Sequence, residues 1–191
     1  MSWRDPPFCP ITAPDMPWEK VEIDIFGPII EGEAPMYIIV VIDHFSKWPE
    51  IEFTSKCDAN AVVCFMNDLC LREGTPKVIV SDNGPQFTSV IFQEFVKRHG
   101  IKHKTTSVYH PADNGAVERF NRVVKGTIQL AVRAKLNWRK EVLNMIWCYR
   151  ITPCTSTGHS PFALMRGRLH ISKDNVSWSS GERELIGHHL R

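Results

Sequence analysis

Seven consecutive apolar residues, Met36 to Ile42, constrain the fold of this chain more than any other feature. Alternate side chains of a strand point to opposite sides of a sheet, so a strand that is apolar throughout must be covered on both faces. The run is far short of the ~20 residues that a membrane-crossing helix requires. Upstream, Val21, Ile23 and Ile25 alternate with Glu22, Asp24 and Phe26, which predicts a period-two strand closed by Gly27-Pro28. Downstream, Trp48 to Thr54 reads as a third strand, with Ser46-Lys47 in the turn. Short links between successive strands predict an antiparallel meander.

The covering elements follow. Asp58 is placed to cap a helix over Ala59 to Arg72, with Val62, Phe65, Met66 and Leu69 on one face and Gly74 as its stop. Pro76 to Val80 predicts a short strand, followed by the turn Ser81-Asp82-Asn83-Gly84-Pro85. A helix over Ser89 to His99, a strand over Ile101 to Thr105, a loop over Pro111 to Gly115, a long helix over Ala116 to Leu136 and a helix over Trp138 to Arg150 complete the pattern. The order βββαβαβαα predicts an α/β domain, a central mixed sheet flanked by helices. At 191 residues and 43% hydrophobic, the chain can bury one substantial core without staples, and it is too apolar to be disordered. From Ile171 onward no hydrophobic period survives, which predicts a disordered tail.

The formal net charge of +2 conceals a polarity. Met1 to Val96 holds 6 Lys and Arg against 15 Asp and Glu, whereas Lys97 to Arg191 holds 17 against 6. A basic half of this kind suits an anionic partner such as nucleic acid, although single lysines more commonly solvate a helix face. The N-terminus reads as neither a signal nor a transit peptide. The six cysteines form no Cys-x-x-Cys pair. Cys57, Cys64 and Cys70 fall in a helical apolar pattern and are expected as buried thiols in a reducing, intracellular compartment. His99 and His103 have zinc-compatible spacing, but Gly100 interrupts them and no cysteine pair follows, which argues against a zinc site.

Three carboxylates stand out: Asp24 on the polar face of the first strand, Asp82 just past the strand ending at Val80, and Glu118 opening the long helix. Each alone has an ordinary explanation, as a solvated side chain, a turn residue or a complement to a helix dipole. Together they can supply the oxygen ligands that hard divalent cations need, and two such cations ~3.5–4 Å apart can clamp a phosphoryl transfer. On the long helix, Arg122 and Lys125 lie four and seven residues after Glu118, on the same face, where they could hold phosphates.

At these residues the chain resembles the catalytic core of retroviral and gypsy-type retrotransposon integrases, within the wider group of acidic-triad transposases. The resemblance is carried by Pro17-Trp18-Glu19-Lys20 with Asp24-Ile25-Phe26-Gly27-Pro28, by Val41-Ile42-Asp43-His44-Phe45-Ser46-Lys47-Trp48, and by Ser81-Asp82-Asn83-Gly84-Pro85-Gln86-Phe87. Tyr109-His110-Pro111 leads through Asn114-Gly115 to Glu118-Arg119-Phe120-Asn121-Arg122, and 35 residues separate Asp82 from Glu118, the spacing of the Asp, Asp-35-Glu signature. Thr157-Gly158-His159-Ser160-Pro161-Phe162 with Gly167-Arg168 resembles the segment that closes the gypsy-type core.

The resemblance implies an RNase H-like fold with a five-stranded sheet, spanning 17–168 between an N-terminal extension (1–16) and a tail (169–191). It implies that Asp24, Asp82 and Glu118 are catalytic and hold two Mg²⁺ or Mn²⁺ ions, for 3′-end processing and strand transfer without a covalent enzyme intermediate. Asn83 and Asn121 match motif positions that orient the site or DNA, joining Arg122 and Lys125 as DNA-binding residues, while Asp43-His44 is expected to be structural. The implied partners are element-end DNA and a target duplex, with a homo-oligomer, no membrane, no small-molecule cofactor and a nuclear location. The chain departs from the family at Ala112-Asp113-Asn114-Gly115-Ala116, where Gln-Thr-Asn-Gly-Gln is usual. No zinc domain is read before the core, and no chromodomain or SH3-like domain after it. The alternative function is therefore a host-domesticated, non-catalytic module for DNA binding or protein interaction; an RNase H-type nuclease, with different acidic spacing, is a third.

Overall fold

The apolar run lies in the middle of β2 (Ala34–Asp43), which is paired antiparallel with β1 (Lys20–Glu31) on one side and β3 (Pro49–Thr54) on the other. The computed structural model describes residues 14–31, 34–105 and 115–170. Beyond β1 the sheet continues through β4 (Val78–Ser81) and β5 (Lys102–Thr105), both parallel, to give the order β3-β2-β1-β4-β5. This is the mixed five-stranded sheet expected from the sequence.

Its two faces explain the seven-residue run. Ile39 and Val41 pack with Val21, Ile23 and Ile79 against α1 (Ala59–Glu73), the short α2 (Pro85–Thr88) and α3 (Val90–Arg98), through Val62, Phe65, Met66, Leu69, Phe87, Phe92 and Phe95. Ile38, Val40 and Ile42 face the other way, against α4 (Gly115–Arg133) and α5 (Trp138–Ile151), through Phe120, Val124, Ile128, Trp138 and Val142. Each buried Val or Ile gains roughly 1.5–3 kcal/mol over exposure, so neither face of β2 can be left bare.

Side chains fix the helix ends. Asp58 accepts from Ala61 N–H at 2.8 Å to start α1, Ser89 caps α3 through Phe92 N–H, and Asn137 caps α5 through Lys140 N–H. The long helix ends at Arg133, earlier than Leu136, because Lys135 enters the left-handed region (φ 54°) and Leu136 N–H bonds back to Ala131 O. The apolar period runs on through Leu136, but the chain must reverse before the Asn137 cap. Two short helices go beyond the sequence-based expectation: α2, opened by Pro85, and α6 (Pro161–Arg166), opened by Ser160-Pro161 and closed by Gly167 at φ 63°. Both are too short to leave a periodic signature. α6 is fastened by Arg166, which makes a two-pronged pair with Glu73 at 2.7 Å and lies over the Trp48 ring.

Two further expectations are corrected. Gly27-Pro28 does not end β1; the pairing shifts between Phe26 and Ile29 and then resumes, so the dipeptide is a bulge within a longer strand. Gly27 has φ 144°, and a Cβ there would meet Met36 O and Tyr37 Cδ1 at 2.8 Å. The cysteines Cys57 and Cys64 are exposed and Cys70 only half-buried, because Cys57 precedes α1 and Cys64 lies off its buried stripe. The loop from Pro111 to Asn114, the tail from Ile171 and the first thirteen residues lie outside the described residues. Among the described residues, no helix is long and apolar enough to cross a membrane.

Candidate active site

Parallel pairing of β1 and β4 sets the geometry. The register places Val21 beside Ile79 and Glu22 beside Val80, so two residues further along stand Asp24, within β1, and Asp82, just past the end of β4. Adjacent strands are ~4.8 Å apart, and the charge of Asp82 acts on Asp24. Period two turns Asp24 away from Val21 and Ile23 toward α4, as the alternation in the sequence predicts.

Burial raises the Asp24 carboxyl above its ordinary range. The Ile25 N–H, donating to Oδ1 at 2.8 Å, pulls it back, the charges of Asp82 and Glu22 push it up, and Lys125 pulls it down. Asn121 Nδ2 donates to the other oxygen, Oδ2, at 2.6 Å, so this buried amide is turned inward onto the carboxylate. Asn121 Oδ1 has no hydrogen-bond partner among the described residues. Lys125, one turn on, is exposed and holds its ammonium 4.9 Å from the Phe26 ring centroid.

Asp82 is exposed on the turn after β4, and its Oδ1 accepts from Gly84 N–H at 2.9 Å. The strand end beneath it is held by a directed chain of hydrogen bonds. Gln93 Nε2 donates to Phe87 O at 2.8 Å and to His103 Nδ1 at 3.2 Å, which leaves His103 Nε2 to donate to Ser81 Oγ at 2.8 Å. Ser81 Oγ in turn donates to the Asp82 carbonyl at 2.8 Å. This chain requires neutral His103, and burial lowers its pKa accordingly. Asn83 is exposed beside Asp82.

Glu118 is exposed in the first turn of α4, three residues before Asn121 and four before Arg122, which is also exposed. Three residues of helix rise ~4.5 Å, so Glu118 stands one turn beyond the Asn121–Asp24 contact. Among the described residues no group of three His, Cys, Asp or Glu is arranged to hold a metal ion, so Glu118 is not gathered with the two aspartates here. Two carboxylates on adjacent strand segments, one of them raised by burial and further by the other's charge, form the oxygen-donor set that a hard divalent cation fits, and the cation would relieve their repulsion.

The surrounding polar groups are less legible in the sequence. Glu22, fully buried on the Asp24 face, bonds His44 Nε2 at 3.1 Å through Oε2, while its Oε1 has no partner among the described residues. The alternation Val21-Glu22-Ile23 places Glu22 on that face, but only the fold supplies His44. Lys47 donates to His44 O at 2.7 Å, and burial lowers its pKa. Asp43 is structural, accepting from Trp18 N–H, Ser46 N–H and Ser46 Oγ, the last at 2.6 Å.

The integrase core domain family matches residues 14–111, a span that includes Asp24 and Asp82 and stops short of Glu118. Among curated proteins, the chain is 34% identical over 164 residues to an uncharacterized protein, K02A2.6, of Caenorhabditis elegans, covering 85% of this chain and 12% of that protein. It is 38% identical over 174 residues to the Gag-Pol polyprotein of Walleye dermal sarcoma virus, covering 87% of this chain and 10% of that one. The chain thus spans about a tenth of the length of these two relatives. Among solved structures, the HTLV-2 integrase catalytic core domain in complex with magnesium superposes with a TM-score of 0.64 at 22% identity, covering 78% of this chain and 97% of that one. A chain of the simian T-cell lymphotropic virus intasome, in complex with PP2A regulatory subunit B56 gamma, gives a TM-score of 0.71 at 20% identity, covering 89% of this chain and 63% of that one. The sheet order and the helices on both its faces are therefore those of the RNase H-like integrase cores, and this chain belongs to the integrase core domain family.

Proposed function

We propose that this chain is a DNA polynucleotidyl transferase of the integrase type, carrying out 3′-end processing and strand transfer for a gypsy-like retroelement. The observation that carries the reading is the pair formed by Asp24, within β1, and Asp82, just past the end of the adjacent parallel strand β4, inside the matched integrase core. Asp24, Asp82 and Glu118 are the residues that would hold two Mg²⁺ or Mn²⁺ ions. Bound there, such ions supply activation of a water or DNA 3′-hydroxyl and charge stabilisation of the departing 3′-oxygen.

The chain's own residues prepare this chemistry. Asn121 fixes the rotation of the Asp24 carboxylate, and Gly84 N–H does the same for Asp82. The Gln93–His103–Ser81 chain holds the strand end from which Asp82 projects. Arg122 and Lys125 offer cations along α4 for donor-DNA phosphates, and Asn83 stands exposed at the tip of the Asp82 turn. The DNA substrate implies action in the nucleus, and a homo-oligomer is the assembly that would bring two DNA ends together.

The test is strand joining or its reversal on a branched DNA oligonucleotide with Mg²⁺ and with Mn²⁺, comparing wild type with Asp82→Asn. The expected result is metal-dependent product from wild type and none from the variant. Equal absence of product from both, with both metals, overturns the enzymatic reading in favour of a non-catalytic, domesticated module.

A further inference from the structure

The edge strand β5 carries two lysines that no carboxylate answers among the described residues. Between Glu94 and Asp113 lie 18 residues without an Asp or Glu, and they include Lys97, Arg98, Lys102 and Lys104. Lys102 and Lys104 are both exposed, and neither is in an ion pair among the described residues.

Their face follows from the register. His103 pairs with Ile79, which lies in the core with α3, and the His103 ring meets Phe92 at 5.1 Å. Lys102 and Lys104 therefore stand on the opposite face, level with Val78 and Val80, which in turn are level with Lys20 and Glu22 of β1. That is the face on which Asp24 meets α4. Thr105 pairs with Ser81, so the strand runs alongside β4 up to the residue before Asp82. The acid pair is thus bordered by Arg122 and Lys125 of α4 on one flank and by Lys102 and Lys104 of β5 on the other. Two residues of strand advance ~6.7 Å, about twice the ~3.4 Å axial rise per nucleotide of one DNA strand, so both ammonium groups can address phosphates of a single backbone.

We infer that Lys102 and Lys104 form a phosphate track for duplex DNA, on the flank of the Asp24–Asp82 pair opposite α4. The inference rests on the DNA-transferase reading and extends it by naming a second contact surface. A lysine on an edge strand also has a different known use, blocking strand addition by a second chain. The two uses give different results.

The experiment is fluorescence anisotropy of a labelled duplex with the full chain, as wild type, Lys102→Ala/Lys104→Ala and the charge-matched Lys135→Ala/Lys140→Ala, over a range of salt. Each phosphate contact contributes ~0.9 to the slope of log affinity against log salt, so the β5 variant should lose about 1.8 from that slope. Over a fourfold rise in salt, wild type then loses about tenfold more affinity than the β5 variant. The Lys135/Lys140 variant should keep the wild-type slope. An unchanged slope in the β5 variant, or an equal drop in both variants, overturns the inference while leaving the enzymatic reading standing. Self-association of the β5 variant with an unchanged DNA slope assigns the lysines to edge protection instead, and also overturns it. A wild type that binds no duplex overturns both this inference and the reading beneath it.

Discussion

Replacing Asn121 by Asp tests the most specific contact in the site. The substitution preserves shape but puts a carboxylate oxygen where Nδ2 now donates to Asp24 Oδ2 at 2.6 Å. It removes a hydrogen bond to a charged group, worth about 1.5–3 kcal/mol. Truncation by Asn121→Ala removes the same bond but also deletes the unpartnered Oδ1, which offsets about 1–3 kcal/mol, so its net cost should be small, about 0–2 kcal/mol. Asn121→Asp keeps an unpartnered oxygen and adds like-charge repulsion. Two unit charges 4 Å apart interact by about 4 kcal/mol at an effective dielectric constant of 20, and the partial exposure of Asp24 reduces this to about 2 kcal/mol. Asn121→Asp should therefore be about 2–4 kcal/mol less stable than Asn121→Ala in urea denaturation at pH 7.5. The pH dependence has a definite sign. The paired carboxyls have a folded pKa raised above the unfolded value of about 3.9, so stability falls as pH rises from there through the folded value. The gap between the two variants should therefore narrow steadily as pH falls toward about 3.9. An Asn121→Asp protein as stable as Asn121→Ala at pH 7.5 refutes the Asn121–Asp24 contact and the orientation of Asp24 derived from it.

Three other predictions rest on neighbouring features. A Cβ on Gly84 would meet Asp82 Oδ1 at 2.9 Å and also Gln86 Nε2, so Gly84→Ala should shift Asp82 and lower strand-joining activity roughly 10–10²-fold, with urea stability nearly unchanged. Because burial holds His103 below its ordinary pKa, wild-type stability should fall as pH drops from about 6.5 toward the folded value, and His103→Gln should remove that dependence; urea midpoints between pH 7.5 and 5.5 check it. Arg166→Ala removes the two-pronged pair with Glu73 and the cation over Trp48, so it should cost about 1 kcal/mol and speed amide exchange across α6 before the sheet is affected.

What the sequence discloses depends on the range of the interaction. The all-apolar β2 run requires two covered faces, and both are present, with Ile39 and Val41 on one and Ile38, Val40 and Ile42 on the other. Asp58, Ser89 and Asn137 are caps whose partners lie three residues away, so local chemistry announces them. Asp24 is legible on the polar face of β1 for the same reason. Its partnership with Asp82 follows from a parallel β1–β4 register between segments far apart in the chain, and no local pattern encodes that. The same holds for Glu22 with His44 and for His103 with Ser81, pairs made across the sheet. Gly27-Pro28 reads as a strand end because the dipeptide looks alike at an end and in a bulge, and only the resumed pairing at Ile29 with Met36 separates them. α2 and α6 are shorter than two helical turns and so present no period.

Among the described residues Asp24, Asp82 and Glu118 are not gathered into one cation-holding group, and Glu118 lies one turn of α4 from the Asn121 contact. Mutual repulsion among three carboxylates favours such separation until a cation draws them together. The decisive measurement is the strand-joining rate of Glu118→Gln on branched DNA in Mg²⁺ and Mn²⁺, with the fold verified by circular dichroism. A loss of at least about 10²-fold against wild type is predicted, matching Asp82→Asn, since removing a group that stabilises transition-state charge has costs of that order. A Glu118→Gln protein that joins strands at the wild-type rate would contradict the account.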